Sequence, residues 1–372
     1  MRLFLAVAAL LAASACASAE PATAPAPAPA PVTSVPGTVS GQGSRPAGRD
    51  QPMPPISGRP LAPGSGLRLL VTGDGGAYRL DVGTGARTPV TGLPGDALVW
   101  GMRAGARELL VTTRPDSSAA GDLYVLRGAT ARRLGDALFA FAAADGRGVW
   151  ALQRVKGERC RLRLLDFEGE ALRPALPFAC SAAPSQDTPR GLLARDDGAG
   201  LTRLLDGATG KEVFGARDLH AVTRYLALVS DAEGPALVDV GSGSSVPLDW
   251  PATEGQPSRT AVSPDGRRIA MWFADPAWPG PRQYLDVQVL DLATRAWTRL
   301  PSMPVPASLK TTSMAWTGDG RLVLAGRFVT TSGVLPAESD HAAHVVAWRP
   351  GESELSLRRI ELPPGALATL SP

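Results

Sequence analysis

The 372-residue sequence has few of the residues that most often carry catalysis or bind metals, with only three cysteines and three histidines. It also lacks local motifs that mark several enzyme classes: a Gly-x-Ser-x-Gly elbow, a P-loop, a dinucleotide-binding glycine motif, a His-Glu-x-x-His helix and a Cys-x-x-Cys pair. These absences argue against the hydrolases, nucleotide-binding enzymes and zinc peptidases that such motifs identify. Some enzymes build the active site from single side chains of distant segments and have no such motif. The absence of motifs does not exclude this class of enzyme.

The sequence has no large excess of one sign of charge. It contains 38 lysines and arginines and 35 aspartates and glutamates, which give a net charge of +3. Blocks of like charge are absent too, so we expect no nucleic-acid partner. Beyond the N-terminal segment, no apolar run approaches the length of about 18 residues that a membrane-spanning helix needs.

The N-terminal segment MRLFLAVAALLAASACASAE has one cationic residue, Arg2, before a short apolar run. The run is too short to cross a bilayer permanently and is typical of an export signal, which we assign to residues 1–19. Two processing sites compete within it. The sequence ASAC, ending at Cys16, resembles a bacterial lipobox, in which the cysteine is lipidated and becomes the new N-terminus. Cleavage after Ala19 would instead release a secreted protein.

We favour lipidation of Cys16, because its removal to a lipid leaves Cys160 and Cys180 as an even pair. These two cysteines flank two apolar runs that are separated by Glu168-Gly169-Glu170. A hairpin turning there would bring the two sulfurs close together. We therefore predict a disulfide between Cys160 and Cys180, and two buried free thiols are the alternative.

Residues 20–66 consist mainly of proline, alanine, glycine, serine and threonine. Such a segment cannot bury a core, and its composition predicts a disordered, partly polyproline-like tether. Directly after a lipidated cysteine, a tether would hold a folded domain away from the membrane surface. Residues 67–372 are the predicted folded domain.

A repeated pattern organises this domain: an apolar run ends in a polar residue, which we term the anchor, and small turn residues follow. The anchors are Asp81, Arg127, Asp166, Asp206, Asp239, Asp291 and Arg349. Their spacing is close to the 40 to 45 residues, roughly, of a four-stranded propeller blade. We therefore predict an all-β protein, a β-propeller with seven four-stranded blades, and six or eight blades are the alternatives. The anchor aspartates are expected to accept backbone hydrogen bonds in turns.

The first repeat is incomplete, because only the tether precedes its first strand near Leu67. The C-terminal run from Ala366 to Leu370 would supply the missing inner strand. Pairing of the two ends of the domain would then close the ring and remove open sheet edges.

The stretches SPDGRRIAMWF and VQVLDLATRAWTRLP, both within residues 261–301, contain a Ser-Pro-Asp-Gly turn, an apolar strand and a Leu-Asp-x-x-Thr element. This arrangement resembles the repeat of TolB-like and WD40-like bacterial propellers. A second stretch, AWTGDGRLVL over residues 315–324, keeps the Asp-Gly turn. The resemblance implies the propeller fold. It implies little about function, because such repeats occur in binding proteins, scaffolds and accessory domains of peptidases.

The segment ESDHAAH, in the connection before the last anchor, is the richest set of candidate metal ligands. Glu338, Asp340, His341 and His344 are residue types that bind divalent metals. The two histidines share a face only in a helical turn, whereas on a strand they point to opposite sides. A solvated polar loop is the simpler interpretation, and we predict no metal site and no cofactor.

Three connections between predicted strands are long: residues 114–122, 274–284 and 330–344. The second contains Trp278 and Tyr284 among prolines, which is typical of an interface contact. A tryptophan that covers the rim of its own blade is the alternative. Long loops on a rigid scaffold are where specificity usually lies.

These observations favour a non-catalytic binding or scaffold protein that displays a propeller at the bacterial cell envelope. The expected partner is another envelope protein or an extracellular ligand, and the membrane is contacted through the lipid alone. The alternative is an enzyme, such as a propeller hydrolase, lyase or cyclotransferase, with a site in the central channel and with or without a metal ion.

We expect Cys16→Ser to release the full-length protein from the membrane fraction, because the variant lacks the thiol that carries the lipid. Fractionation followed by immunoblotting measures this, and Ser18→Ala, which keeps the thiol, serves as the control. A Cys16→Ser protein that remains with the membranes would contradict lipid anchoring.

Overall fold

The structure of the protein is a computed structural model that describes residues 55–73, 76–94, 99–103, 108–113, 120–155, 159–196, 201–231, 233–275, 283–308, 312–328, 342–363 and 366–371. These residues form strands and turns, and no helix occurs among them. None of the described residues therefore belongs to a helix that could span a membrane.

The strands form seven sheets, which are the blades of a β-propeller. The chain begins with β1 (Arg59–Pro60), and blade 1 contains β2 (Arg68–Gly73), β3 (Gly76–Asp81) and β4 (Arg87–Pro89). Blade 2 consists of β5 (Val99–Arg103), β6 (Glu108–Thr113), β7 (Gly121–Arg127) and β8 (Thr130–Ala137). Blade 3 consists of β9 (Phe139–Ala142), β10 (Gly148–Arg154), β11 (Arg159–Asp166) and β12 (Leu176–Ala179). Blade 4 consists of β13 (Ala182–Thr188), β14 (Gly191–Asp196), β15 (Leu201–Leu205) and β16 (Glu212–Ala216).

The last three blades follow the same order. Blade 5 consists of β17 (Asp218–Val222), β18 (Leu226–Asp231), β19 (Gly234–Asp239) and β20 (Ser245–Pro247). Blade 6 consists of β21 (Gln256–Val262), β22 (Arg268–Asp275), β23 (Gln283–Asp291) and β24 (Ala296–Arg299), and β25 (Val305–Ala307) also pairs with β23. Blade 7 consists of β26 (Ser313–Trp316), β27 (Leu322–Gly326), β28 (Ala342–Trp348) and β29 (Ser356–Glu361), and the chain ends with β30 (Leu367–Ser371).

The C-terminal strand closes the ring. β30 pairs antiparallel with β2, in a register that sets Leu367 opposite Thr72 and Ser371 opposite Arg68. Blade 1 therefore takes its innermost strand from the end of the chain and its other three from the beginning. The predicted all-β fold, the seven four-stranded blades and the closing strand are confirmed. In every blade we term the strands A to D from the channel outward.

An apolar core lies between each pair of neighbouring blades, including blades 7 and 1. One strand serves two of these cores with alternate residues. In β23, Val287 lies in the core between blades 6 and 7, whereas Leu290 lies in the core between blades 5 and 6. Burial of both sheet faces explains why inner strands such as β22, RIAMWFAD, are almost continuously apolar.

The anchors lie where strand C ends in each blade, and the carboxylates of the five aspartate anchors organise the turns that follow them. Asp291 Oδ1, for example, accepts the backbone N–H groups of Ala293 and Thr294, both at 3.1 Å. The corresponding bonds from Thr84 to Asp81 lower the pKa of that carboxyl below its ordinary value. The anchor aspartates are therefore turn residues, as the sequence predicts.

Cys160 and Cys180 form a disulfide in blade 3. Cys160 lies on β11, directly opposite Phe178 of β12, so the hairpin predicted from the sequence brings the two sulfurs together. In the chain-entropy model, closing a loop of this length stabilises the fold by roughly 3 kcal/mol.

The final part of the predicted tether differs from the sequence-based expectation. Ile56 is only 2% exposed and packs in the core between blades 6 and 7. Leu61 is buried in the core between blades 7 and 1. Between them, β1 pairs in parallel with β29 at the outer edge of blade 7. The prediction of a tether up to residue 66 is therefore wrong for residues 55–66, which we term the strap, because two buried apolar side chains outweigh its prolines and glycines.

Removal of residues 1–66 should destabilise the propeller relative to removal of residues 1–54. The shorter chain loses burial of Ile56 and Leu61, and each such side chain contributes about 1.5–3 kcal/mol. We expect the free energy of unfolding to fall by about 3 kcal/mol or more, as measured by urea denaturation of both chains. Equal stabilities would contradict the packing of the strap.

Candidate functional site

The two faces of the ring carry different connections. The antiparallel order of each blade places the A–B and C–D turns on one face and the B–C and D–A connections on the other. We term them the turn face and the insertion face. The three long connections predicted from the sequence all join strand B to strand C, in blades 2, 6 and 7. The strand ends that flank them thus share the insertion face, and most residues of the connections lie outside the described part of the chain.

The turn face contains a groove of about 520 Å³ between blades 3 and 4. Two smaller grooves, of about 360 Å³ and 270 Å³, lie on the same face beside the A–B turn of blade 7. The groove between blades 3 and 4 differs from them in the ion pairing of the arginines that line it. It is the site described below.

Trp150 and Asp187 join the two blades at the floor of this groove. Trp150, on β10, is 2% exposed, and its indole Nε1–H donates to Asp187 Oδ2 of β13 at 2.9 Å. The same oxygen accepts the backbone N–H of Ala144 at 2.9 Å. Burial raises the pKa of the Asp187 carboxyl, and these two hydrogen bonds and the charge of Arg173 oppose that shift. The tryptophan ring is therefore held in place from the neighbouring blade.

Arg173, from the C–D connection of blade 3, lies over this fixed ring. Its Cζ atom is 4.2 Å from the centroid of the Trp150 ring, which is a close cation–π contact. Its Nε atom is buried without a hydrogen-bond partner in the described part of the protein. Burial lowers the pKa of Arg173, whereas the charges of Asp187 and Asp206 act in the opposite direction.

The arginines of the groove beside blade 7 are paired instead. Arg59 lies 2.9 Å from Glu352, and Arg321 and Arg349 lie 2.9 Å and 3.3 Å from Asp319. No such ion pair or hydrogen bond of Arg173 is found among the described residues. The groove between blades 3 and 4 is therefore lined by a fixed cation that has no ion pair among the described residues.

The nearby carboxylates are already engaged by the protein. Asp187 accepts the two hydrogen bonds described above, and Asp206 Oδ1 accepts the backbone N–H groups of Ala208 and Thr209 at 3.0 Å and 2.7 Å. Arg190 donates from Nε to the carbonyl of Arg224 at 2.6 Å. The arrangement thus favours binding of an acceptor group at Arg173 over proton transfer by these carboxylates.

Three of the four candidate metal ligands, Glu338, Asp340 and His341, lie outside the described residues. His344 lies on β28 and is 3% exposed, opposite Gly326 and Arg359 in the neighbouring strands. Burial, reinforced by the charge of Arg359, lowers its pKa to about 4. His344 thus belongs to a strand and not to the helical turn that would align it with His341, and the described part of the chain has no group of three or more potential ligands.

The insertion 274–284 contains two candidate interface residues, Trp278 and Tyr284. Trp278 lies outside the described residues. Tyr284 lies on β23, is 3% exposed and places its hydroxyl 3.1 Å from Thr253 Oγ1. The interpretation of this insertion as an interface contact therefore does not extend to Tyr284, whose side chain is buried.

A buried polar cluster between blades 5 and 6 was not predicted. The carboxylate of Asp286 is fully buried, lies 3.1 Å from Arg299 Nη2 and accepts a hydrogen bond from Gln288 Nε2 at 3.0 Å. Burial raises the pKa of Asp286, and the charge of Arg299 opposes the shift. The alternation Asp286-x-Gln288 in an otherwise apolar strand is the sequence signal that would have indicated it.

The groove at Arg173 has no comparable local signal. Trp150 and Asp187 are 37 residues apart and meet only because blades 3 and 4 pack side by side. Arg173 lies in a turn between them, in a sequence with many other arginines. Only the packed structure distinguishes it from the rest.

Comparison with known proteins adds information on the fold. No protein-family model matches the chain, and no curated protein sequence matches it. Similar solved structures include TolB from Acinetobacter baumannii, at 14% identity over 83% of this chain and 67% of that chain, with a TM-score of 0.46. A Lactobacillus plantarum protein has 14% identity over 82% of this chain and 100% of that chain, with a TM-score of 0.48.

A yeast structure, Kluyveromyces lactis Hsv2, is similar at 12% identity over 82% of this chain and 100% of that chain, with a TM-score of 0.41. At these identities the similarity concerns the propeller fold alone. TolB, whose repeat the sequence resembles, is thus one of several structures that share the architecture.

Asp286 and Asp291 should respond to pH in opposite directions. Burial raises the pKa of Asp286, so wild type should gain stability relative to Asp286→Asn as the pH falls from about 7 toward about 4. Hydrogen bonds from Thr294 lower the pKa of Asp291, so wild type should lose stability relative to Asp291→Asn as the pH falls below about 4. Urea unfolding at each pH measures both differences, and parallel profiles for the two variants would contradict this account.

Proposed function

We propose that the protein is an exported, non-catalytic binding or scaffold protein that displays its propeller on the extracytoplasmic side of a bacterial cell envelope. A lipid on Cys16 would hold it at the membrane, and the residues between Cys16 and the strap would space the propeller from the surface. The proposed partner is another envelope protein or an extracellular ligand.

Two observations support this location. The N-terminal sequence has the cationic residue, the short apolar run and the small residues of an export signal. The Cys160–Cys180 disulfide is a bond of the kind that persists in oxidising compartments outside the cytoplasm.

The binding role rests on one observation, the stacked Arg173 at the open groove between blades 3 and 4. A cation that is held by a buried ring provides a contact point that is formed before any ligand arrives. Little conformational freedom is then lost on association, which favours affinity. The carboxylates around it are engaged in holding the blades and turns together.

Site-specific photo-crosslinking in the native cells tests this function. A benzophenone side chain at Ala208, which lines the groove and is exposed, should give a discrete adduct with a partner protein. The same group at Val213, which is 49% exposed on the outer strand of blade 4, is the matched control and should give none.

A third position, Glu233 on the B–C turn of blade 5, samples the insertion face. An adduct from Glu233 alone would contradict the assignment of the groove as the contact site. The absence of a discrete adduct from every position would contradict an envelope protein as the partner.

A further inference from the structure

We infer that the groove between blades 3 and 4 binds a carboxylate group, and that Arg173 is the residue that holds it. The inference rests on the proposed function, because it names the chemistry that the binding protein recognises. The carboxylate belongs either to an acidic side chain or to the C-terminus of a polypeptide, and these two sources share the same two-oxygen geometry.

The first support is the fixed position of the guanidinium. Arg173 stacks on Trp150 at 4.2 Å, and Trp150 is held by its hydrogen bond to Asp187 at 2.9 Å. This contact fixes the position of the guanidinium at the groove, which Arg173 lines. An edge-on carboxylate can accept two parallel N–H bonds from such a group, which gives both strength and directional specificity.

The second support is the unsatisfied state of Arg173. Its Nε–H is buried without an acceptor among the described residues, and burial of an unpaired polar group costs free energy. The groove opens on this side chain, which is one of its lining residues. A carboxylate in the groove would pair with the charge of Arg173, whereas the arginines beside blade 7 already have carboxylate partners.

The third support is the charge of the surrounding walls. Asp145, Asp187 and Asp206 also line the groove, so a doubly charged phosphate meets more repulsion than a singly charged carboxylate. The volume of about 520 Å³ accommodates an acidic side chain or a chain end with its neighbouring atoms. The charge of the walls therefore favours a singly charged carboxylate over inorganic phosphate.

The test is a titration of the full chain followed by NMR at the indole N–H of Trp150. This group lies under Arg173 and is one of eight tryptophans, so its signal is assigned by its loss in Trp150→Phe. The probes are N-acetylglutamate α-amide for the side-chain source and N-acetylglycine for the terminal source. The neutral N-acetylglutamine amide and inorganic phosphate are the controls. We expect a saturable shift with at least one carboxylate probe and none with the neutral amide.

Two variants localise the binding. Arg173→Gln removes the positive charge. It should raise the Kd of the carboxylate probe that binds wild type about tenfold or more. Gly207→Leu keeps the positive charge but adds a side chain beside it, since a Cβ at Gly207 would lie 3.6 Å from Arg173 Nη2. The added side chain should weaken carboxylate binding in the same way. Arg349→Gln, which removes an arginine paired with Asp319 on the same face, is the matched control and should leave the affinity unchanged.

The inference is overturned if neither carboxylate gives a saturable shift, if phosphate binds more tightly than both, or if Gly207→Leu binds as well as wild type. The last result decides the question even where Arg173→Gln fails to fold. Cross-linking from Ala208 distinguishes a failure of the carboxylate inference from a failure of the proposed function. An adduct without carboxylate binding overturns only the ligand chemistry, whereas carboxylate binding without an adduct overturns only the envelope-protein partner.

Discussion

Apolar packing between neighbouring blades is the constraint on which the rest of the structure depends. Each sheet is covered on both faces, so no blade has a core of its own and each requires two neighbours. The requirement is met for the first and last blades only because β30 pairs with β2 and brings blade 7 against blade 1. The same closure leaves no blade with an uncovered face, which explains how a chain without helices in its described part remains compact.

Two carboxylates at these contacts are held by hydrogen bonds or an ion pair. Asp286 is matched by Arg299 and Gln288 between blades 5 and 6, and Asp187 is matched by Trp150 and Ala144 between blades 3 and 4. These carboxylates hold blades together. Arg173 is the contrasting case, because it contacts an aromatic ring and its Nε–H has no acceptor among the residues that the structure describes. The proposed binding role follows from that difference.

The ends of the described domain also bear on function. The strap lies along blade 7 and ends in the core beside blade 1, so the chain enters the ring close to the point where the ring is closed. Ile56 and Leu61 hold the strap in two of the cores between blades, and the disulfide of blade 3 lies in a different part of the ring.

Repeated features could be predicted from the sequence, whereas contacts between repeats could not. Asp291 and the other anchors, the hairpin of Cys160 and Cys180, and the closing strand near Leu367 each depend on local chemistry or on a recurring spacing. The burial of Ile56, the strand position of His344 and the stacking of Arg173 on Trp150 depend on side chains that come from different blades. Local backbone preferences act over a few residues and leave a pattern in the sequence, but the free energy of a contact between blades depends on three-dimensional proximity, which only the closed ring decides.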